Sequence, residues 1–477
     1  MDIFSILPKD FEMVGKNKVI TNLACDSRRV KDNGIFFAID GYNTKGENYI
    51  NEAIKNGAAC VVTEKKLNIE NNITQIIVPS SRRAMSEMAS HFYSDSAECM
   101  LKIAVTGTNG KTSTTYFLQE MLTKAGYKVG VIGTNGSFVN DYKINSSLTT
   151  PDPIEFFEVI KQMKDMGVDA LCFEASAHAL YLDKLAGLKS DISILTNISQ
   201  DHLDFFKTMF NYAEAKAKLF TTKLSKTAII NTNSPLAHEI YLETNLPKIA
   251  VGDINKCDIV LKNVTNTEFG QTFEIDFKDE MKKYSMNLFG RFNVENALNV
   301  IAVGEVLGIN RDIVKKSIEE LKPVSGRFNG YVVNGVKVII DFAHTPEAMS
   351  NALTACRELT EGENAKLICV FGCGGNRDAG KRPLMGKTAT NLCDYVILTN
   401  DNPRYEEPQK IINNIIYGIS EYTNFSVELN RENAIKKAIA LASKGDVVAI
   451  LGKGCENYIE IEGEKIPYSD ADVVKSI

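Results

Sequence analysis

Residues Met100 to Ala125 read MLKIAVTGTNGKTSTTYFLQEMLTKA. An apolar strand, LKIAVTG, runs into the turn GTNGKT (Gly107 to Thr112) and then into a stretch of helical periodicity from Ser113 to Ala125. Strand, glycine loop and helix in that order form a nucleotide-binding unit. Gly107 and Gly110 let the backbone N–H groups of Thr108, Asn109 and Ser113 turn toward phosphate oxygens, Lys111 supplies a point charge, and the Thr112 hydroxyl can meet Mg²⁺. The loop departs from the full GxxxxGK[ST] pattern, because Val105 stands where that pattern has its first glycine. A chance glycine turn is the plainer alternative, and the flanking strand and helix argue against it.

Outward from this unit, the 477-residue chain exceeds what one hydrophobic core usually serves, so three domains are expected. Residues 1–98 read as a small α/β unit with strands at Gly34 to Ile39, Ala58 to Val62 and Ile73 to Val78. Residues 99–328 continue the nucleotide-binding unit with apolar runs at Ala170 to Phe173, Ile192 to Thr196 and Ala228 to Asn231, alternating with helical stretches. That rhythm predicts a parallel sheet covered on both faces. Residues 329–477 repeat it with VKVIIDFAHT and strands at Leu367 to Phe371, Tyr395 to Thr399 and Val447 to Leu451. The fold class is therefore α/β, with a central P-loop ATPase-like parallel sheet and a C-terminal Rossmann-like domain.

Composition narrows the function. Hydrophobic residues are 44% and charged residues 24%, enough to bury a sizeable core. The net charge of -6, without a dense Lys/Arg run, argues against a nucleic-acid or anionic-membrane surface. Ten cysteines without a CxxC pair, of which Cys369 and Cys373 are the closest, read as reduced thiols of a cytoplasmic enzyme. The start, MDIFSILPKDFEM, lacks the basic and apolar regions of an export signal, and no apolar run approaches the ~18 residues of a membrane span.

Two side chains are placed by the strands before them. Glu174 follows ALCF and His202 follows the run ending at Thr196, so both should emerge at the sheet edge where open parallel sheets place ligands. A carboxylate beside phosphates suits Mg²⁺, with a solvated surface Glu and a core or surface His as the plainer alternatives. Lys216 lies in an Ala-rich amphipathic helix and by spacing alone reads as a surface lysine. Asn293 and Asn296 carry donors and acceptors suited to an adenine edge, and Arg327 and Asp341 suit phosphate and ribose. Helix capping is the other reading of the asparagines.

The series TGTNGKTST, TTPDP (Thr149 to Pro153), EASAHAL (Glu174 to Leu180), TNISQDHLD (Thr196 to Asp204), YAEAKAKLF (Tyr212 to Phe220), FGRFNVENAL, SGRF, DFAHTP, GCGGNRDAGKRP, DNPR (Asp401 to Arg404) and GKGCE resembles the Mur ligases, specifically the MurE type. The resemblance covers nearly the whole chain. It implies an ATP-dependent amide-forming ligase that joins meso-diaminopimelate to the D-glutamate of UDP-N-acetylmuramoyl-L-alanyl-D-glutamate through an acyl phosphate, in peptidoglycan synthesis. Such an enzyme serves cell-wall biogenesis, and through it cell shape and division.

Residue roles follow from the resemblance. Lys111, Glu174, His202 and Lys216 would be catalytic, and Thr112, Glu174, His202 and Lys216 would hold two Mg²⁺ ions. Lys216 would carry CO₂ as a carbamate, turning a cation into an oxygen ligand, while Lys218 stays ordinary. DSRRVKDNGIFFAIDG (Asp26 to Gly41) resembles a UDP-binding signature, with Ser27 as the contact. Thr149, Thr150, Ser176 and Lys184 would meet the muramoyl peptide. Leu182 and Lys184 stand where related enzymes carry Gln and Arg, and Lys184 lacks bidentate geometry.

For the amino acid, Arg404 would grip the distal carboxylate of diaminopimelate, which lysine lacks, with Asp401, Asn402 and Pro403 shaping that pocket. Arg377 would meet a second carboxylate, and Gly452 and Glu456 would complete the pocket, Glu456 pairing an ammonium. Cys455 and Asn376 replace a His and an Asp common in related sequences. A lysine-adding ligase is the nearest competing expectation. A folate-extending relative is opposed by the DSRR unit, and a P-loop binding protein that forms no bond stands further off. Domain closure over the reacting groups and a monomeric state complete the expectation.

Overall fold

The computed structural model describes residues 1–477 apart from 42–43, 70–71, 94–95, 145, 147, 254–255 and 420–423. Three main sheets follow one another along the chain. The first has five strands in the order Glu12–Val14, Thr74–Ile77, Ala58–Thr63, Gly34–Phe37, Asn22–Ala24, all parallel except the first.

The second sheet has eleven strands. Its middle is parallel, as the βαβ rhythm predicts: Ile259–Thr267, Lys248–Gly252, Ser225–Asn231, Ser190–Leu195, Leu101–Thr106, Ala170–Glu174 and Val129–Gly133 lie side by side. Two antiparallel extensions make the sheet mixed rather than parallel throughout. Gly270–Phe277 and Glu280–Met286 extend one edge, Gly136–Val139 and Tyr142–Ile144 the other. The third sheet has six strands in the order Asn329–Val333, Val336–Asp341, Val447–Leu451, Leu367–Phe371, Tyr395–Leu398, Phe425–Val427, antiparallel only at its first pair.

The helix after the glycine loop is Lys111–Lys124, beginning two residues before the sequence pattern becomes periodic. Phe117, Leu118, Met121 and Leu122 form its buried stripe, each worth about 1.5–3 kcal/mol of burial. Gly110, at φ 84°, ends the loop without a side-chain cap, so the first N–H groups of the helix stay open for an anion.

Apolar clusters cover both faces of the central sheet and both faces of the third. One central cluster is continuous with the first sheet, from Ile3 and Ile35 to Phe156 and Phe173. Helices Ser81–Phe92 and Pro153–Asp165 pack across that junction. The central and third sheets bring the C-terminal ends of their parallel strands to one cavity, where such sheets present ligand sites. No helix among the described residues is long and apolar enough to cross a membrane.

Candidate active site

The cavity encloses about 650 Å³ and is lined from both large sheets. On the central side, Gly107 to Ser113 curl around the end of the Leu101–Thr106 strand. A Cβ on Gly107 would lie 1.9 Å from Thr196 Oγ1, and one on Gly110 would lie 2.3 Å from Asn296 Oδ1. Glycine is therefore obligatory at both positions, where φ is also positive. Lys111 Nζ donates to the carbonyls of Gly107 and Thr108, both at 2.9 Å, so its charge is folded onto its own loop. Burial lowers its pKa, against the opposing pull of Glu174 and Asp201.

Thr112 Oγ1 donates to Glu174 Oε1 at 2.9 Å. The same carboxylate accepts from Thr134 N–H at 2.8 Å and from the Thr134 hydroxyl at 3.1 Å. Glu174 is thus fixed beside the loop, as its place after the strand predicts. A hydroxyl and a carboxylate so joined, at an open helix N-terminus, fit the oxygen donors that Mg²⁺ shares with phosphates. Among the described residues no three His, Cys, Asp or Glu side chains are gathered as a metal cluster.

Lys216 is not the surface residue its spacing suggests. It is 1% exposed, donates to Gly107 O at 2.8 Å and lies 4.5 Å from the Tyr212 ring centroid. Burial, reinforced by Lys111, pushes its pKa well below the ordinary lysine value, so the amine is readily neutral. Lys218 donates to Tyr181 O and pairs with Asp183 at the surface. His202 sits at φ 56° at the start of helix Leu203–Phe206, its Nε2 3.4 Å from Asp201 Oδ2. Burial lowers its pKa to about 3 despite that neighbour.

Asp201 escaped the sequence reading, which passed over it for His202. Its Oδ1 accepts from Lys381 Nζ at 3.2 Å and its Oδ2 lies 3.5 Å from His344 Nε2, both from the third sheet's domain. Burial alone would raise the Asp201 carboxyl, but His344 and Lys381 hold it well below the usual carboxylate range. Lys381 and His344 lie in GCGGNRDAGKRP and DFAHTP, and their partner is visible only in three dimensions.

Arg327 crosses the same junction. Its NH2 donates to Thr112 Oγ1 at 3.1 Å, and its guanidinium lies 4.4 Å from the Phe342 ring centroid. Asp341 accepts from the N–H groups of Phe328 and Ala343, each at 2.8 Å, while burial raises its pKa. Asn296 lines the cavity, whereas the Asn293 amide donates back to Phe289 O at 2.8 Å and is not on the cavity wall.

On the other wall, Arg377, Asp401, Asn402, Arg404, Gly452 and Glu456 line the cavity together. Arg404 is fixed by Nε on Glu460 Oε2 at 2.9 Å and NH1 on Gly375 O at 2.8 Å. Glu456 Oε2 accepts from Asn402 at 2.8 Å and from fully buried Lys453 at 3.0 Å, a lysine that sequence reasoning assigned no part. Pro403 shapes the loop from behind, its carbonyl 1.9 Å from where a Cβ on Gly375 would lie.

Thr149 and Ser176 line the cavity, with Thr150 bonded to Glu174 O at 2.7 Å just behind them. Ser27 and Lys184 do not line it. Ser27 donates to Glu52 at 2.6 Å in the first domain, and Lys184 pairs with Asp152 at 2.6 Å.

Comparison with known proteins agrees with this architecture. Residues 19–93 match the Mur ligase family catalytic domain, 105–304 the Mur ligase middle domain and 326–454 the Mur ligase glutamate ligase domain. The chain is 40% identical to a UDP-N-acetylmuramoyl-L-alanyl-D-glutamate--2,6-diaminopimelate ligase from Clostridium tetani, over 96% of this chain and 94% of the relative. It is 41% identical to the enzyme of that name from Aquifex aeolicus, over 99% and 96%. A solved structure of a ligase of that name is 30% identical with a TM-score of 0.68, covering 96% of this chain and 94% of the other. A MurF ligase from Thermotoga maritima in complex with ADP, 22% identical with a TM-score of 0.64 over 90% and 93%, shares the fold. With all three family regions matched in order and near full-length likeness at 40% identity, the chain belongs to the Mur ligase family.

Proposed function

We propose that this chain is the ATP-dependent ligase that joins meso-diaminopimelate to the D-glutamate of UDP-N-acetylmuramoyl-L-alanyl-D-glutamate, releasing ADP and phosphate. The observation that carries the reading is the single cavity with a phosphate loop, Thr112 and Glu174 on one wall and Arg377, Arg404 and Glu456 on the other. The relatives' names support the same substrates.

A carboxylate and an amine do not condense in water unaided, so the carboxylate is first made electrophilic with the γ-phosphate of ATP. In this reading Gly107 to Ser113 bind the phosphates, and Lys111 leaves its two loop carbonyls to offset the charge on the transferring oxygens. Mg²⁺, held by Thr112, Glu174 and His202, supplies charge neutralisation when bound. Lys216, whose burial favours the neutral amine, would take up CO₂ as a carbamate, which would offer an oxygen ligand to a second Mg²⁺. Asn296 and Asp341, with Asn293 behind them, position the adenosine, and Arg327 bridges to the phosphates. Thr149, Thr150, Ser176 and Lys184 orient the muramoyl peptide while Ser27 holds the UDP end. Arg377 and Arg404 take the diaminopimelate carboxylates, and Asp401, Asn402, Pro403, Gly452 and Glu456 shape its pocket.

The same proposal divides the chain at 98/99 and 328/329, one substrate per domain. It takes the enzyme to be a cytoplasmic monomer, without nucleic-acid or membrane partners, serving cell-wall synthesis and so cell shape and division. Phosphate release from ATP with Mg²⁺ and the UDP-dipeptide, with diaminopimelate or L-lysine offered in parallel, tests the reading. Release with diaminopimelate alone is expected. Release with lysine would overturn the Arg404 pocket, and release with neither would overturn the ligase.

A further inference from the structure

A buried carboxylate on the cavity wall, Asp378, has no part in these roles. Asp378 is 7% exposed and lies between Arg377 and Lys381 on the wall. Its Oδ1 accepts from the Gly380 N–H at 2.9 Å, which fixes the carboxylate at the start of helix Lys381–Leu392. Its Oδ2 is buried, and no donor among the described residues reaches it. Other buried polar atoms also lack partners, but Asp378 is the one of those residues on this cavity's wall. An unmet buried acceptor is costly, more so for a charged group, and a site tolerates it when a ligand supplies the missing donor.

The place of Asp378 says which donor. Lys381, three residues on, reaches Asp201 beside His202 on the phosphate side, and Arg377, one residue back, faces the amino-acid side. Asp378 therefore sits where the two halves of the reaction meet. Three other carboxylates on the wall are engaged at both oxygens: Glu174 by Thr112 and Thr134, Asp201 by Lys381 and the two histidines, Asp341 by Phe328 and Ala343. The incoming amino acid brings an ammonium that must lose a proton before it can attack.

We propose that Asp378 Oδ2 accepts the attacking ammonium of the incoming amino acid and takes its proton. The inference rests on the ligase reading. The N–H bond breaks with its electrons left on nitrogen, and the proton bonds to Oδ2. The nitrogen lone pair then forms the C–N bond at the acyl-phosphate carbonyl, and the C–O bond to phosphate breaks, phosphate leaving with the electron pair. The second N–H proton passes to the departing phosphate as the amide becomes neutral. General-base groups contribute about 10²–10⁴ in rate.

The test separates acyl-phosphate formation from amine attack. The holoenzyme is given ATP, Mg²⁺ and the UDP-dipeptide, with either diaminopimelate or hydroxylamine as acceptor. Hydroxylamine is neutral at the assay pH and needs no base. Asp378→Asn keeps an Oδ1 for Gly380, and Asp378→Ser is a second variant should the asparagine fold poorly. Wild type is expected to form both amide and hydroxamate. The variants are expected to form hydroxamate within about twofold of wild type while amide formation falls at least about 100-fold. Amide at the wild-type rate, or an equal loss of both products in a variant with an unchanged melting profile, would overturn the role of Asp378. Neither product from wild type would overturn the ligase reading instead, which keeps the two failures apart.

Discussion

Lys381 Nζ lies 3.2 Å from Asp201 Oδ1, an ion pair between two domains whose side chains are only 9% and 5% exposed. With His344 on the other oxygen of Asp201 and Arg327 on Thr112, it holds the third sheet against the phosphate loop. A buried pair of this kind contributes little net stability while intact, but losing one partner costs about 3–5 kcal/mol. Lys381→Met is therefore expected to favour an open arrangement, with a larger radius of gyration in solution scattering and a raised KM for ATP. An unchanged scattering profile would count against the latch.

Lys216 predicts a dependence on CO₂. Its amine is buried against Gly107 O and held well below the ordinary lysine pKa, which favours the neutral form that reacts with CO₂. Activity should fall in CO₂-depleted buffer and return with bicarbonate, and Lys216→Ala should lose at least about 100-fold in kcat, the scale of a lost electrostatic contact to the transferring group. Full activity of Lys216→Ala without bicarbonate dependence would refute the carbamate.

His202 predicts an acid-labile fold. Its folded pKa is lowered to about 3, whereas the unfolded side chain titrates near 6.5. Between those values the unfolded chain binds a proton that the folded chain does not, so stability rises with pH up to about 6.5 and falls as pH drops below it. The slope is at most about 1.4 kcal/mol per pH unit, and less here because the ring is 37% exposed. Asp201 acts with the same sign at lower pH, below the unfolded carboxylate value. His202→Asn should melt with a flatter dependence between pH 4 and 6.5, which melting curves across that range measure.

Arg404 predicts selectivity. Its fork is aimed by Glu460 and Gly375 O before any substrate arrives. Arg404→Lys cannot reproduce both bonds and the grip on a carboxylate. Steady-state kinetics should show KM for diaminopimelate rising by at least about tenfold, the loss of one charge-assisted contact of 1.5–3 kcal/mol, with KM for ATP unchanged.

Arg431 predicts stability. Arg431 and Asp470 are both fully buried, and Arg431 also donates to Asn400 O and Leu451 O near the strand ends that border the cavity. Arg431→Met leaves Asp470 unpaired at a cost of about 3–5 kcal/mol. The urea midpoint of the third domain's transition should drop accordingly, and a midpoint equal to wild type would contradict this account.

Local patterns determined much of this protein. The run from Met100 to Ala125 already contains strand, loop and helix, because apolar periodicity and glycine freedom act within a few residues of each other. Glu174 was legible for the same reason, since a strand projects the residue at its end to the sheet edge. The family motifs in order singled out Arg404 and the other residues of the third domain that line the cavity.

Only the tertiary structure decided the rest. The hairpins that widen the central sheet lie outside the runs that the βαβ rhythm marks, and they form by pairing with edges that the chain supplies elsewhere. Lys216 reads as a surface residue until its helix packs beneath the glycine loop, and burial then changes the chemistry of its amine. The partnership of Asp201 with His344 and Lys381 spans 180 residues in the case of Lys381, and the unmet oxygen of Asp378 is defined by the lack of a donor among the described residues. Periodicity reports which face of an element is apolar, whereas desolvation and ion pairing depend on what comes to rest against that face after the domains meet.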